Sequence, residues 1–412
     1  MSTVATIGAA YSANKGAASM MQSLLDNLPA QVPGVRIIAI STHPADDRMA
    51  YAAAGLDVPV VSQQPAELAA VQLPLALLVG LFRTLKLPHR WLLRTPTLRA
   101  IADADVVADL SGISFVDGRR FVVIVYNAIV VWVPMLLGTK VVKCAQAMGP
   151  FKGRVNRLLA TLTLPRLARV CPRGDVTESF VRGLGLRNVT PAGDMAFTMQ
   201  VPDAVREQVA ARLAGAGPGP YITVSPSQVV ATYCEGTDIA YPQIMAEVID
   251  GIGARTGHRV VMIAHSAQPN KGVTHMNDLP LCREIAGLVN KPENLVFLDD
   301  DLLPTELRAI IASSDLLVAS RFHAMISALT ELVPPIVIGW SHKYGEVLAP
   351  FGIEDLAITY DELRNAEHVV DRVEQVLGDR ASIVTRIEEN LPAAQARSMR
   401  NFDVLAEELA EH

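Results

Sequence analysis

Short apolar runs alternate with longer amphipathic stretches along most of this chain. In the first half, residues 4–9, 35–41, 105–109, 141–145 and 169–171 read as strands, and residues 17–27 as a helix. A break follows Asp194. Residues 201–214 read as one amphipathic helix, and residues 215–220 as a Gly/Pro loop. The pattern then restarts. Residues 221–225, 259–264, 295–298, 315–319 and 335–338 read as strands, and residues 239–256, 305–313 and 324–332 as helices. Such alternation places crossover helices on parallel sheets. It predicts an α/β chain with two doubly wound Rossmann-like domains, residues 1–200 and 201–378, facing a cleft where strand ends meet. Residues 379–412 read as a charged helical tail.

Two apolar stretches interrupt this rhythm. Residues 73–81, extending to Trp91, contain Pro74 and run into Arg83, Lys86, His89, Arg90 and Arg94. Residues 121–137 are broken by Asn127 and Pro134. A spanning helix needs roughly 20 apolar residues, and both fall short. The second reads as a buried helix. The first reads either as a core helix with a solvated basic end or as a segment lying on a membrane surface. The first residues read as strand and loop, not as a signal peptide.

Composition narrows the class. Half the residues are hydrophobic and 19% are charged, enough to bury a sizeable core. The net charge of -6 argues against a general nucleic-acid binder. Cys144, Cys171, Cys234 and Cys282 form no C-x-x-C pair, so they read as buried thiols of a reducing compartment, with no disulfide framework or zinc site. A cytoplasmic protein, working at the inner face of the membrane, is the expectation.

The sharpest chemical feature is the strand–helix junction over residues 315–324. Ser320 can cap the helix. The helix start offers free N–H groups to a phosphate or carboxylate, and Arg321 can add a charge-assisted fork. His323 is of the type that gains or loses a proton near neutrality. The bland alternative is a capped helix with a surface Arg and a core-edge His. Lys343, after the next strand, either reaches the same anion or is solvated. Near the N-terminus, residues 8–17 form a junction of small residues that includes Asn14, Lys15 and Gly16. It has neither P-loop nor G-x-G-x-x-G spacing. Polar residues at strand ends are further candidates: Asp109 with Ser111 and Gly112, Gln146 with Gly149 and Pro150, and His265. Arg173 is another, with an ion pair to Asp175 as its alternative. Asp299, Asp300 and Asp301 read as a solvated turn. No metal cluster or nucleophile elbow is visible.

Several segments stand in order along the chain: Asn14 to Ala17, Asp109 to Phe115, Gln146 to Phe151, Arg173 to Ser179, Ala192 to Phe197 with Asp194, Ser225-Pro226-Ser227, Ser320 to His323, and the loop ending in Lys343. Their order and spacing resemble the polysaccharide pyruvyl transferase family. Arg321 and His323 keep the spacing of its Ser-x-Arg-x-His pattern, with Ala319 at the Ser position. Ala17 replaces an acidic residue, and Leu110-Ser111-Gly112 replaces a triple glycine. The resemblance implies a GT-B-like fold and transfer of the pyruvyl group of phosphoenolpyruvate to two hydroxyls of a sugar, closing a cyclic ketal. It implies an acceptor side in the N-terminal domain and a phosphoenolpyruvate side in the C-terminal one. The acceptor would be a polysaccharide, glycolipid or lipid-linked glycan. Phosphoenolpyruvate would be a co-substrate, with no further cofactor, no metal and no nucleic acid. Within this reading His323 is the acid, and Arg321 and Arg173 clamp the two anionic groups. Ser320, Lys343, Asn14, Lys15, Gly16, Ser111, Gly112, Gln146, Asp194, Ser225 and His265 contact substrates. The alternatives are a GT-B glycosyltransferase using a nucleotide sugar, and a non-catalytic member that keeps the fold.

Overall fold

The strands assemble into two parallel sheets. The computed structural model describes residues 2–268, 274, 277–339 and 343–411, apart from the side chain of Lys343. The expected contribution of Lys343, and of the loop residues Trp340, Ser341 and His342 before it, lies outside the described residues. The chain divides into two compact units, residues 1–12, 20–199 and 395–412, and residues 13–19 and 200–394.

The first sheet holds β1 (Thr3–Ile7), β2 (Arg36–Ser41), β3 (Val60–Ser62), β4 (Val106–Asp109), β5 (Ile113–Val116), β6 (Lys140–Gly149) and β7 (Arg169–Pro172). Its order is β3-β2-β1-β4-β6-β5, with β7 also pairing β6. The second holds β8 (Tyr221–Ser225), β9 (Arg259–Ile263), β10 (Leu295–Leu298), β11 (Leu316–Ala319), β12 (Pro335–Gly339) and β13 (Ala357–Thr359), in the order β10-β9-β8-β11-β12-β13. All these pairings are parallel. Central strands such as Leu316-Leu317-Val318-Ala319 are buried along their whole length, as strands covered on both faces must be. In each sheet the order reverses beside the first strand, between β1 and β4 and between β8 and β11. Ligands of doubly wound sheets bind at the carboxyl ends of strands at this reversal.

The helices used below are α1 (Lys15–Gln31), α2 (Leu73–Thr84), α3 (Phe121–Leu137) and α4 (Arg154–Thr163). They continue with α5 (Tyr241–Thr256), α6 (Leu279–Leu288), α7 (Phe322–Thr330) and α8 (Arg380–Ala410). The first turn of α1 is counted with the second unit. The expected tail is one helix, α8, whose residues 380–394 group with the second unit and 395–410 with the first. α3 stops where Gly138 takes a left-handed conformation with φ of 89°, which glycine adopts without Cβ strain.

Three expectations need correction. Residues 141–145 were expected to end a strand before Gln146, yet β6 runs on to Gly149, because β5, not foreseen, supplies a partner for Ala147 and Gly149. The first apolar stretch was expected to be too short to span a membrane. The helical run Pro65–Thr84 is 20 residues and meets that test by length and composition. It buries Leu68, Gln72, Ala76 and Val79 in the first unit. The second stretch was expected to be buried, which holds for Ile124, Ala128, Val130, Val131, Val133, Pro134 and Leu137 but not for its first turn, where Phe121, Val122 and Val123 are exposed.

Candidate functional site

The junction after β11 sits at the strand-order reversal of the second sheet. Ser320 was expected to cap α7. Arg321 occupies the cap position instead, with no side-chain cap bond. Ser320 is buried, and its Oγ shares a hydrogen bond of 2.8 Å with Tyr241 Oη. The same phenol accepts from Ser227 N at 3.2 Å, so Tyr241 ties the ends of β8 and β11 together. Burial pushes its phenol up, out of reach of ionisation. Ser225 closes β8 with a buried Oγ that has no hydrogen-bond partner among the described residues. A buried hydroxyl in that state calls for a ligand or water.

Arg321 donates from Nε to Asp278 Oδ2 at 2.7 Å, and its Nη2 engages Oδ1. Asp278 is fully buried and also accepts from Gln228 N at 2.9 Å. Burial pushes its carboxyl up, while Arg321 and backbone N–H groups pull it back. The guanidinium is held in one orientation by this paired contact. Asp278 was not singled out in the sequence, because nothing local marks a carboxylate whose partner lies 43 residues away.

His323 follows on the first turn of α7, with Phe322 edge-on to its ring at 5.3 Å between centroids. Its imidazole lies against Gly16. A Cβ built on Gly16 would stand 2.1 Å from His323 Nδ1. The glycine of the N-terminal loop is therefore required by space. Asn14 Oδ1 accepts from Gly16 N at 2.9 Å and shapes the same loop. Lys15 is buried and pairs with Asp301 at 2.5 Å. The expected solvated turn is exposed at Asp299, Asp300 and Asp301, and its carboxylates are also ion-paired, Asp300 with Arg212 and Asp299 with Arg283. His265 is also buried. Burial first, then the charges of His323, Arg321 and Lys15, lower its pKa to about 3, so it is neutral near pH 7. Four basic side chains, Lys15, His265, Arg321 and His323, are thereby gathered in the second unit.

A second set gathers in the first unit, at the reversal between β1 and β4. Asp109 and Lys143 form an ion pair with both side chains 1% exposed. Gln146 Oε1 accepts from Lys143 Nζ at 3.1 Å and from Ser114 Oγ at 2.7 Å, while its Nε2 donates to Asp109 O at 2.9 Å. Gln146 is therefore an interior polar residue of a strand, not a turn residue. Ser111 N donates to Asp109 Oδ1 at 3.0 Å. Gly8, with φ of 79°, leaves room for Ser111, whose Oγ would lie 2.1 Å from a Cβ there. Arg173 pairs with Asp194 at 2.6 Å and not with Asp175, which pairs with Arg397. Arg173 Nη1 lies 4.0 Å from a Cβ built on Gly112. Lys143 was the missed member of this set. Its signal is a lone lysine inside the apolar run of residues 141–145.

The family model for polysaccharide pyruvyl transferase matches residues 14–342. The chain belongs to this family. The match takes in both gathered sets, from the Asn14 loop through Arg173 and Asp194 to Arg321 and His323. The sequence matches no curated protein. Among solved structures, this family member is similar to UDP-GlcNAc 2-epimerase from Neisseria meningitidis bound to UDP-GlcNAc, with TM-score 0.63, 9% identity and 100% of each chain covered. It is similar to S. aureus MnaA in its UDP co-structure, with TM-score 0.57, 11% identity and 95% and 91% covered. It is also similar to Methanocaldococcus jannaschii UDP-GlcNAc 2-epimerase in complex with UDP-GlcNAc and UDP, with TM-score 0.55, 12% identity and 92% and 93% covered. At these identities the likeness concerns the fold, which is the GT-B-like α/β fold expected from the sequence.

Proposed function

We propose that the protein transfers the pyruvyl group of phosphoenolpyruvate to two hydroxyls of a sugar, as a ketal-forming transferase. The carrying observation is the gathering of Lys15, His265, Arg321 and His323 at the reversal of the second sheet, in a member of this family. Phosphoenolpyruvate bears a carboxylate and a phosphate on an enol carbon. Protonation of its methylene carbon makes C2 electrophilic. One sugar hydroxyl adds to C2 and loses its proton. Phosphate then leaves with the electron pair of its C–O bond, and a second hydroxyl adds to C2 and loses its proton. The products are the cyclic ketal and inorganic phosphate. His323 is the acid, and Gly16 gives its ring room. Arg321, oriented by Asp278, and Lys15 supply positive charge for the anionic groups. Neutral His265 adds a hydrogen-bonding group without further charge. Ser225 Oγ, buried without a hydrogen-bond partner among the described residues, is assigned to the donor. The loops at Ser111, Gly112 and Gln146 in the first unit take the glycan acceptor, and no other cofactor is needed. Phosphoenolpyruvate is a cytoplasmic metabolite, which puts the reaction on that side of the membrane.

The test is phosphate release from phosphoenolpyruvate over a panel of glycan and lipid-linked glycan acceptors. General acid catalysis is worth about 10²–10⁴-fold, so His323→Gln should lower turnover by that much with an unchanged fold. Near-normal turnover removes His323 from the mechanism. Thermal stabilisation by UDP-GlcNAc and none by phosphoenolpyruvate would favour a nucleotide-sugar enzyme instead.

A further inference from the structure

Charge is unevenly distributed along this acidic chain. Residues 68–102 and 118–174 hold fifteen Lys and Arg and no Asp or Glu, although the whole chain has 42 acidic and 36 basic residues. Both segments belong to the first unit.

They also carry its most exposed apolar side chains. Phe121 and Val122, in the first turn of α3, are 65% and 74% exposed. Val155, Leu158 and Leu162 form an exposed stripe on α4, and Leu77 and Leu81 do so on α2. These helices form one layer. Asp117, just before α3, accepts from Lys152 N at 2.6 Å and from Asn156 Nδ2 at 2.8 Å, clasping the starts of α3 and α4 together. Further along, Trp132 Nε1 donates to Thr163 Oγ1 at 2.8 Å. On the other flank, Arg83 Nη1 donates to Leu136 O at 3.3 Å, where α2 and α3 end. Beside the exposed apolar turn stand Arg119, Arg120, Lys152, Arg154 and Arg157, all exposed and in no ion pair among the described residues.

A solvated face would not present Phe and Val at such exposure in a tethered turn. A surface with tethered apolar tips and, among the described residues, a rim of five unpaired cations around the single carboxylate of Asp117 is complementary to an anionic bilayer. We infer that the layer of α2, α3 and α4 docks on an anionic lipid membrane, with Phe121, Val122 and Leu158 entering the acyl boundary. The arginines and Lys152 meet the lipid phosphates. The starts of α3 and α4 follow the carboxyl ends of β5 and β6, so this face adjoins the edge of the sheet that carries Ser111, Gly112 and Gln146. The inference does not rest on the transfer chemistry, because membrane docking needs no reaction.

The test is sedimentation of the full chain with vesicles of phosphatidylcholine alone or of phosphatidylcholine with phosphatidylglycerol. Binding is expected to the anionic vesicles and to weaken with salt. Each basic residue near such a surface is worth about fivefold, so the Arg119→Gln, Arg120→Gln double variant should bind about 25-fold more weakly. The Phe121→Ser, Val122→Ser variant should lose roughly tenfold or more. A Lys291→Gln control, in the second unit, should bind as the parent does. Failure to sediment with anionic vesicles overturns the inference, as does equal binding by both double variants. Self-association of the parent that Phe121→Ser, Val122→Ser abolishes would make the face an interface between copies and overturn it as well.

Discussion

Gly16 and His323 show how one missing carbon atom shapes a site. The ring occupies the space that a side chain at position 16 would fill. Gly16→Ala must therefore shift the imidazole or the first turn of α7. Turnover should fall by about 10²-fold or more, as for removal of the proposed general acid, because a displacement on the order of 1 Å is enough. Phosphate release measured beside a melting curve checks this. Unchanged turnover would mean that the ring works elsewhere or not at all. His265 gives a second prediction at this scale. Its pKa falls from the ordinary 6.5 to about 3 on folding, through burial and then the charges of His323, Arg321 and Lys15. A depressed histidine binds its proton more tightly when unfolded. Its contribution is therefore complete above pH 6.5 and is lost as the pH falls from there toward 3. A shift of that size corresponds to a few kcal/mol, roughly. Replacing it with Gln should flatten the fall in melting temperature between about pH 6.5 and 4. An equally steep fall in His265→Gln would assign the acid sensitivity to other groups.

Strand β6 carries the clearest lesson among the elements. Its apolar start was legible, since Val141 and Val142 open a short apolar run of strand length. Its continuation was not, because Gln146 reads locally as a polar stop. Asp109 O, 37 residues away, and Ser114, 32 residues away, join Lys143 in making that amide an interior group. The junction of β11 with α7 was placed correctly to within two residues by the same apolar run. Ser320 was given to the wrong partner, because the competing acceptor and donor, Tyr241, lies 79 residues away. Local pattern thus located strands and loops, while long-range polar pairing decided what the loop residues do. The Asp109–Lys143 pair yields the prediction for this scale. Lys143→Met leaves a buried carboxylate without its cation, and breaking such a pair costs about 3–5 kcal/mol. Adding Asp109→Leu should recover part of that loss, since an apolar pair leaves no charge behind. Urea unfolding of the two variants measures both. A single variant as stable as the parent would show that the Asp109–Lys143 pair contributes nothing to stability.

Across the whole molecule, charge is allotted differently at the two sheet reversals. In the first sheet, Lys143 is matched by Asp109 and Arg173 by Asp194. In the second, Lys15 and Arg321 have carboxylate partners, and His323 adds one more group able to carry positive charge, while His265 stays neutral near pH 7. The reversal that offers more cation than anion should hold the donor, and the balanced one the uncharged hydroxyls of a sugar. Such an allotment was only half legible from sequence, where Arg173 and Arg321 read as equivalent halves of one clamp. It predicts separable effects. Phosphoenolpyruvate at about 100 times its Kd should stabilise the parent by about 2.7 kcal/mol. Lys15→Met should abolish most of that stabilisation, because it removes a buried cation from the donor set. Ser111→Ala should keep it while lowering ketal formation, because Ser111 lies in the loop proposed to take the acceptor. Melting curves with and without phosphoenolpyruvate, read beside phosphate release with acceptor, separate the two. Loss of stabilisation in Ser111→Ala together with its retention in Lys15→Met would reverse the assignment of donor and acceptor to the two sheets.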